Sequence, residues 1–210
     1  MSQSRSSIPE FEVQTEVRMD EALELREQLR GLPGEQPLPS VNDLIVRAVA
    51  LALRRHPKLN ASYAEDRLVV HEQVNIGIAV ATEEALIVPT VRDADARSLG
   101  SLAAEARRLA EKVRDGSVTP EELSGATFTV SNLGMFGMTA IRPIINAPQV
   151  AILGVGAARE TLALLEGRPT ERRLMTLTLS CDHRAVYGAD AARFLSEVRG
   201  LLETPLRLLL

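Results

Sequence analysis

The pattern of apolar and polar positions divides the chain into strands and helices that alternate along its length. Alternating apolar residues predict a first strand over residues 10–17. Runs rich in valine and isoleucine predict further strands at residues 67–71, 74–81, 86–91, 126–131, 149–157, 161–165 and 173–181. Helical periodicity predicts helices at residues 20–30, 41–56, 98–114 and 189–202. Several hairpins among interleaved helices favour the α/β class, with one mixed β-sheet packed with helices in two layers.

Capping signals mark two of the predicted helix starts. Ser40 is placed to cap the helix over residues 41–56, Asp43 stands where a capping-box acid belongs, and Pro57 ends it. Its apolar positions cover nearly the whole circumference, so we expect this helix to be largely buried. A cap at Thr119 followed by Pro120 predicts a further, short helix that ends before a glycine.

Composition limits the classes of function. The 210 residues are 45% hydrophobic and 25% charged, as in ordinary soluble domains, and we expect a single domain. The net charge of −4 and the 3% aromatic content argue against nucleic acid and an anionic membrane as partners. Cys181 is the only cysteine, so no internal disulfide is possible. A reducing compartment fits this, and residues 1–7 lack the apolar stretch of a secretory signal, so we expect a cytoplasmic protein.

Three histidines are candidates for acid–base chemistry. His56 stands at a helix end and His71 closes a strand, which favours structural or surface roles. His183 lies between Asp182 and Arg184, after a buried-looking strand and before a helix. Buried charges need partners, and strand-to-helix loops often carry reactive side chains. On these grounds alone, a functional and a structural role for His183 both remain open.

The loop at residues 131–137, Ser-Asn-Leu-Gly-Met-Phe-Gly, follows another apolar strand. Its two glycines permit tight backbone geometry near a ligand. The serine lacks the flanking glycines of a nucleophile elbow, and the glycine spacing is not that of a dinucleotide fingerprint. No histidine, cysteine or acidic cluster in the sequence has metal-ligand spacing, so no metal is expected.

Together these two segments resemble the catalytic domain of the dihydrolipoyl acyltransferases of 2-oxo acid dehydrogenase complexes. Residues 182–188 match the family signature Asp-His-Arg-x-x-Asp-Gly except at Tyr187, and residues 127–134 match Thr-Phe-Thr-x-Ser-Asn-Leu-Gly. The resemblance covers essentially the whole chain. Further similar segments are Val41-Asn42-Asp43-Leu44, Asn60-Ala61-Ser62, Gly77-Ile78-Ala79-Val80-Ala81, Val88-Pro89, Arg92-Asp93-Ala94-Asp95, Ile144-Ile145-Asn146 and Glu203-Thr204-Pro205.

The resemblance implies the chloramphenicol acetyltransferase-like fold of coenzyme A-dependent acyltransferases. It also implies a homotrimer with active sites between subunits, assembled into a cubic or dodecahedral cage. Coenzyme A is then a substrate, and a separate lipoyl domain supplies the lipoyl group. Residues 1–210 are expected to be one catalytic domain, without lipoyl and peripheral subunit-binding domains, in the cytoplasm or, in a eukaryote, the mitochondrial matrix. The other subunits of the complex are the implied partners.

The resemblance also assigns roles to individual residues. His183 is implied as the general base for the attacking thiol, and Ser131 as the hydrogen-bond donor to the oxyanion. Asn132 and Gly134 are implied at the substrate. Tyr187 occupies the position where the family has Asp or Asn, so it is the third implied catalytic position.

Two departures from the family keep alternatives open. Tyr187 is bulkier than Asp or Asn, and Glu10 stands where similar proteins tend to carry His. One alternative is a cage-forming structural core with impaired catalysis. Another is an acetyltransferase of the same fold that acts on a small hydroxyl compound. The sequence favours an acetyl group for transfer only through general resemblance.

Overall fold

The computed structural model describes residues 7–31, 37–82, 85–165 and 167–210. The strands are β1 (Glu10–Arg18), β2 (Ala61–Ala64), β3 (Arg67–Val70), β4 (Ile76–Ile78), β5 (Val80–Ala81), β6 (Leu86–Ile87), β7 (Thr90–Val91), β8 (Phe128–Asn132), β9 (Ala151–Val155), β10 (Arg159–Leu165) and β11 (Arg168–Asp182). The helices are α1 (Asp20–Arg30), α2 (Val41–Arg55), α3 (Leu99–Arg114) and α4 (Gly188–Glu203), with 3-10 turns at Pro57–Leu59, Gly134–Phe136 and Pro205–Leu209. Within the described ranges, no helix has the length and apolarity needed to cross a membrane.

The main sheet is mixed, as the sequence predicts. Its strand order is β1-β11-β9-β8-β4-β7, and β10 pairs with the outer part of β11. The pairs β8–β9 and β4–β8 are parallel, whereas β1–β11, β9–β11, β4–β7 and β10–β11 are antiparallel. β2 with β3 and β5 with β6 form two separate hairpins.

Helices cover one face of this sheet and an irregular segment covers the other. On the helical face, α4 packs on β1 and on α2, and the Phe194 ring lies 5.6 Å from that of Phe128. On the opposite face, Ile8, Ile145 and Ile152 form a small buried cluster. A Cβ at Gly154 would lie 2.7 Å from Ile141, so the covering segment lies directly against β9. The predicted two-layer α/β architecture is confirmed.

Helix α2 is the central buried helix. The Ser40 hydroxyl accepts a hydrogen bond from the Asp43 backbone N–H at 3.2 Å, and the Asp43 carboxylate accepts one from the Ser40 N–H at 2.7 Å. This is the predicted capping box. Residues 43–50 are all buried, so the expected burial is also confirmed.

Two predicted strands are each divided in two. Residues 74–81 yield β4 and β5, and residues 86–91 yield β6 and β7. Pro89 explains the break, because it has no N–H to donate across the ladder. The Ile78 N–H still donates to the Pro89 carbonyl, but the next N–H, of Ala79, donates to Val130 on β8. The sequence also favours a hairpin turn between these two runs at residues 82–85, of which residues 83 and 84 lie outside the described residues.

The helix predicted at Thr119 is wrong. The Thr119 hydroxyl does accept a hydrogen bond from the Glu122 N–H, at 3.4 Å, as a cap would. The following N–H groups, however, form only i to i+3 bonds: Leu123 to Pro120 and Ser124 to Glu121. The Gly125 backbone has a φ of +79°, which ends the segment as a series of turns.

Two further differences concern hairpins. β2 was not predicted; it pairs with β3 through a turn in which Glu65 and Asp66 have φ values of 51° and 56°. β11 is longer than predicted, and β1 ends opposite Leu174, so residues 168–173 of β11 pair only with β10. We call the two-stranded projection formed by residues 159–165 and 168–173 the arm.

Candidate active site

An ion pair anchors the loop that carries His183. Asp182, 1% exposed, ends β11, and its carboxylate accepts hydrogen bonds from the Arg184 Nε at 2.9 Å and Nη2 at 2.6 Å. The Arg184 backbone N–H also donates to it, at 3.0 Å. The hydrogen bond and charge of Asp182 raise the pKa of the Arg184 guanidinium. The buried carboxylate of Asp182 therefore has the charged partner that it needs, and this ion pair holds the loop in place.

Arg184 also joins this loop to the β2–β3 hairpin. Its guanidinium carbon lies 4.3 Å from the centre of the Tyr63 ring, in a cation–π contact. Tyr63 is fixed in turn by its backbone N–H, which donates to Pro148 at 2.8 Å. Sequence reasoning missed Tyr63, because an aromatic residue in a short strand gives no signal of a distant arginine.

His183 projects outward from this anchored loop. Its backbone N–H donates to the Pro9 carbonyl at 3.0 Å, which holds the loop to β1. Its ring is exposed, edge-on to Phe11 at 4.8 Å and to Tyr187 at 5.6 Å between centroids. Across the residues that the structure describes, neither ring nitrogen has a hydrogen-bond partner. The imidazole is therefore oriented by packing and available to a ligand.

Tyr187 occupies the N-cap of α4. Its φ of −111° and ψ of 161° are typical of an N-cap, but its side chain forms no capping hydrogen bond. Tyr187 as a whole is 56% exposed, and its ring lies beside that of His183. Asp and Asn are among the best N-cap residues, so tyrosine here loses a cap that the family residue could provide.

Ser131 lies on β8 at the edge of a groove of about 390 Å³. The groove is bounded by β4, β5, α2, α3 and the loop after β8, and Ile78, Val80 and Phe136 contribute apolar walls. Ser131 is half-buried, and no described residue forms a hydrogen bond with its hydroxyl. The hydroxyl is therefore free to donate to a ligand that enters the groove.

The neighbouring predicted residues are held by contacts within the chain. The Asn132 amide donates to the Asn42 side chain at 3.0 Å, and its oxygen accepts from the Gly134 N–H at 2.8 Å. A Cβ at Gly134 would lie 2.7 Å from the Gly156 carbonyl oxygen, so only glycine fits there. Asn42 was not predicted as a site residue, although it stands in one of the family-like segments. These contacts fix the backbone beside Ser131.

Ser131 and His183 lie at opposite ends of the sheet in one chain. Ser131 pairs with Gly154 near the end of β9, whereas Cys181 of β11 pairs with Ala151 at its start, and His183 lies two residues further. The two residues are thus displaced by five residues along the strand direction, which is about 17 Å. They are also displaced across the sheet from β8 to β11 by two strand spacings of about 4.8 Å each. The structure therefore does not bring the two residues together within a chain.

The other candidate groups have structural surroundings. The His71 Nε2 lies 2.8 Å from the Ser62 hydroxyl oxygen, and the His56 ring lies edge-on to Phe194 at 5.9 Å. Burial lowers the pKa of His56. Burial, together with the nearby Asp182 charge, raises the pKa of the Cys181 thiol to about 12, so it stays protonated. In the described part of the chain, no group of three or more histidine, cysteine or acidic residues could hold a metal.

Comparison with known proteins identifies relatives across the whole chain. The family model "2-oxoacid dehydrogenases acyltransferase (catalytic domain)" matches residues 1–210. The dihydrolipoyllysine-residue acetyltransferase component of the pyruvate dehydrogenase complex from Rickettsia felis is 39% identical over 210 residues, covering 99% of this chain and 51% of that protein. Mitochondrial component 3 from Arabidopsis thaliana is 41% identical over 214 residues, covering 99% of this chain and 39% of that protein. The chain thus spans about half or less of these relatives.

Solved structures show the same architecture. Azotobacter vinelandii dihydrolipoamide acetyltransferase superposes with a TM-score of 0.91 at 35% identity, covering 100% of this chain and 87% of that chain. The cubic core of a pyruvate dehydrogenase multienzyme complex gives 0.91 at 36% identity, with the same coverage. Chloramphenicol acetyltransferase gives 0.59 at 16% identity, covering 96% and 92%, which confirms the predicted fold type.

Proposed function

Because the chain belongs to the 2-oxoacid dehydrogenase acyltransferase family, as its catalytic domain, we propose that it transfers an acyl group between dihydrolipoamide and coenzyme A. Acetyl is the favoured group, since the relatives are named acetyltransferases. One observation carries the proposal: Ser131 and His183 each present a polar group that no described residue of the chain uses. A thiol needs a base to remove its proton, and a thioester carbonyl under attack needs a hydrogen-bond donor.

His183 acts as the general base. A thiol with an ordinary pKa of about 8.5 is only a few per cent thiolate at neutral pH, and the thiolate is the nucleophile. A neutral imidazole can remove that proton as a general base. The Asp182–Arg184 pair holds the loop so that the ring need not reorganise.

Ser131 donates to the oxyanion. Attack of the thiolate on the thioester carbon places negative charge on the carbonyl oxygen, and a positioned donor stabilises it by about 3 kcal/mol. The intermediate then expels the other thiolate, so the acyl group passes directly from thiol to thiol without an acyl-serine. Asn132 and Gly134 keep the backbone beside Ser131 in place, next to the substrate.

Residue spacing supports these roles. The Azotobacter vinelandii structure comes from a study of a serine, a histidine and an asparagine in the catalytic mechanism, with the histidine 52 positions after the serine and the asparagine four positions later. Ser131 and His183 are also 52 positions apart, and Tyr187 follows after four. Tyr187 thus stands at the asparagine position, where its side chain offers a phenolic hydroxyl in place of the amide.

The active site forms between two copies of the chain, within a trimer. Ser131 of one copy and His183 of the next can meet, whereas the two residues of one copy are separated by the length of the central strands. The likeness to a cubic core supports a further assembly of trimers into a cage. The lipoyl group comes from a separate lipoyl domain, and the other complex subunits are the partners. The 210 residues act as one catalytic domain, in the cytoplasm or the mitochondrial matrix.

An assay with acetyl-CoA and free dihydrolipoamide tests the proposal. The wild-type protein should transfer the acetyl group, and His183→Ala should abolish transfer while the particle size and thermal unfolding are unchanged. An assembled wild-type particle without transfer would support the structural-core alternative. Faster acetylation of small hydroxyl compounds than of dihydrolipoamide would support the other alternative.

A further inference from the structure

The side chain of Arg184 connects two parts of the molecule that are distant in sequence. Its Nε and Nη2 donate to the Asp182 carboxylate, and its guanidinium carbon lies 4.3 Å from the centre of the Tyr63 ring. The Asp182 side chain is 1% exposed, whereas that of Arg184 is 35% exposed. The ion pair therefore joins a buried carboxylate to a guanidinium at the surface, and the Tyr63 ring lies against that guanidinium.

His183 lies between the two partners of this ion pair, so the pair holds the backbone on both sides of it. The Arg184 backbone N–H donates to the Asp182 carboxylate at 3.0 Å, and the His183 N–H donates to the Pro9 carbonyl at 3.0 Å. A catalytic histidine is often oriented by a hydrogen bond to its second ring nitrogen. Among the residues with described positions, none provides that bond here. The orientation of the imidazole therefore depends on the loop backbone and on ring packing.

Backbone hydrogen bonds place the Tyr63 ring relative to the ion pair. The buried Val150 donates from its N–H to the Ala61 carbonyl at 3.1 Å, and its carbonyl accepts from the Asp182 N–H at 2.8 Å. The Tyr63 N–H donates to the Pro148 carbonyl, also at 2.8 Å. Strand β2 and the end of β11 are thus bonded to the same short segment before β9. The position of the ring is therefore set by contacts that do not involve the guanidinium.

We propose that Tyr63 is a positioning residue for acyl transfer, whose ring keeps Arg184 on Asp182 and thereby keeps His183 in its reactive orientation. A long side chain at the surface loses rotamer freedom when it forms an ion pair, so such pairs are weak unless the geometry is fixed. The ring supplies that restraint, because it favours a guanidinium that lies against its face. Tyr63 acts through Arg184 and not on the substrate. The inference rests on the proposed function, because it needs His183 as the base.

The first test removes the ring. Tyr63→Leu should lower kcat about tenfold with little change in KM for dihydrolipoamide, because it disturbs the base and not substrate binding. Tyr63→Phe should restore most of kcat, since it keeps the ring and loses only a hydroxyl that lies 3.5 Å from Asp66. Melting curves check folding, and Tyr63→Met is a second ring-free variant. Equal kcat in the Leu and Phe variants, or an effect confined to KM, would overturn the proposal.

The matched control changes the same hairpin on its other face. Val69 is 51% exposed and pairs with Ser62, the neighbour of Tyr63, so its side chain points away from the ring. Val69→Ala should therefore leave kcat within about twofold of wild type. A tenfold loss in this variant as well would assign the effect to the hairpin as a whole and would overturn the role of the ring.

The second test asks whether Tyr63 acts through Arg184. Arg184→Lys keeps a positive charge beside Asp182 but loses the planar group that lies against the ring. In this background, Tyr63→Leu should cause little further loss of kcat, because two residues that act through one contact are not additive. The same tenfold loss in both backgrounds would overturn the proposal.

The third test does not require activity. Amide hydrogen exchange of residues 182–187 should be several-fold faster in Tyr63→Leu than in wild type, and close to wild type in Tyr63→Phe, because the ring restrains this loop. Unchanged exchange in the Leu variant would overturn the proposal. Faster exchange in that variant, together with a wild-type protein that transfers no acetyl group, would contradict the proposed function and support the contact of Tyr63 with the loop.

Discussion

The hydroxyl of Ser131 and the imidazole of His183 lie at opposite ends of the central sheet, five residues apart along the strands. Neither group is hydrogen-bonded by another described side chain. At one end the Asp182–Arg184 pair holds the loop that carries His183, and at the other the Gly134 backbone lies directly against the Gly156 carbonyl. The two groups can act on one substrate only when a second copy supplies one of them.

Replacing Ser131 tests its role in the transition state. Ser131→Ala should lower kcat by about two orders of magnitude with little change in KM, because its hydrogen bond strengthens only as the oxyanion forms. Steady-state kinetics at varied dihydrolipoamide concentration provide the measurement. A change confined to KM would mean that Ser131 binds the ground-state substrate instead.

Tyr187 leaves helix α4 without a side-chain cap, and this can be repaired. Tyr187→Asp should raise the free energy of unfolding by about 1 kcal/mol, because the carboxylate can accept a hydrogen bond from the first turn and interacts favourably with the helix dipole. Tyr187→Ala is the control, since it removes the ring without supplying a cap. Chemical denaturation compares the three proteins, and equal stability of the Asp and Ala variants would contradict the capping argument.

The same position bears on catalysis. We expect Tyr187→Asp to raise the rate of acyl transfer, because it restores a family residue and removes a ring that lies 5.6 Å from the His183 ring. The assay with acetyl-CoA and dihydrolipoamide measures this. A lower rate would show that the site has adapted to the phenol, and an unchanged rate would show that the position does not affect catalysis.

The last residues of the chain include one leucine that is buried in the core and three that are exposed. Leu208 is fully buried, and the buried Arg47 donates from Nε to its carbonyl at 3.2 Å. Leu206, Leu209 and Leu210 are 65%, 48% and 94% exposed. Exposed apolar side chains that cluster on an anchored segment indicate a contact surface.

Substitution of the exposed leucines should therefore prevent assembly of the cage without disrupting the trimer. Leu206→Asp with Leu209→Asp should leave active trimers that no longer form the large particle, because each small contact is repeated throughout the closed shell. Light scattering gives the particle mass. These substitutions are more specific than a deletion of residues 206–210, which would also remove the buried Leu208 and the carbonyl that accepts from the Arg47 Nε, leaving Arg47 only its hydrogen bond to the Asp95 carbonyl. A large particle formed by the double variant would contradict the cage contact.

Glu122 makes stability depend on pH in the acid range. Hydrogen bonds from Lys112, the Thr119 backbone and Arg108 lower its pKa from an ordinary 4.5 to about 2. The stabilisation is complete above pH 4.5, where the unfolded carboxyl is also ionised, and is lost as the pH falls through about 2. Glu122→Gln should therefore flatten this part of the stability profile, measured by urea unfolding, whereas Glu121→Gln should not. Equal slopes in both variants would contradict the assignment.

Elements with local signals could be predicted from the sequence. Helix α2 begins and ends within a residue of its predicted bounds, because its capping box and Pro57 are local features. The strands around Pro89 and the turns after Thr119 were less predictable. Around Pro89, the hydrogen bond from the Ala79 N–H to Val130 decides the outcome, and after Thr119 the Glu122 carbonyl accepts a hydrogen bond from the N–H of the distant Thr90. Periodicity carries no information about such partners.

For the candidate site, sequence motifs predicted His183 and Ser131 as functional residues, but they did not predict that the two residues lie far apart within one chain. That separation follows from the parallel pairing of β8 with β9 and the antiparallel pairing of β9 with β11. Tyr63 and Asn42 could not be predicted as site residues, because each contributes through a contact with a residue that is distant in sequence. Sheet order is set by the packing of the whole domain, so it could not be derived from either motif.

The most direct test of the account is complementation between two inactive variants. Ser131→Ala and His183→Ala proteins are unfolded, mixed in equal amounts and refolded together, and acetyl transfer to dihydrolipoamide is measured. Random trimers place an intact Ser131 opposite a neighbour's intact His183 at about a quarter of the interfaces, so about a quarter of the wild-type activity should return. If the mixture is no more active than the separate variants, the site lies within one chain and the shared-site account is wrong.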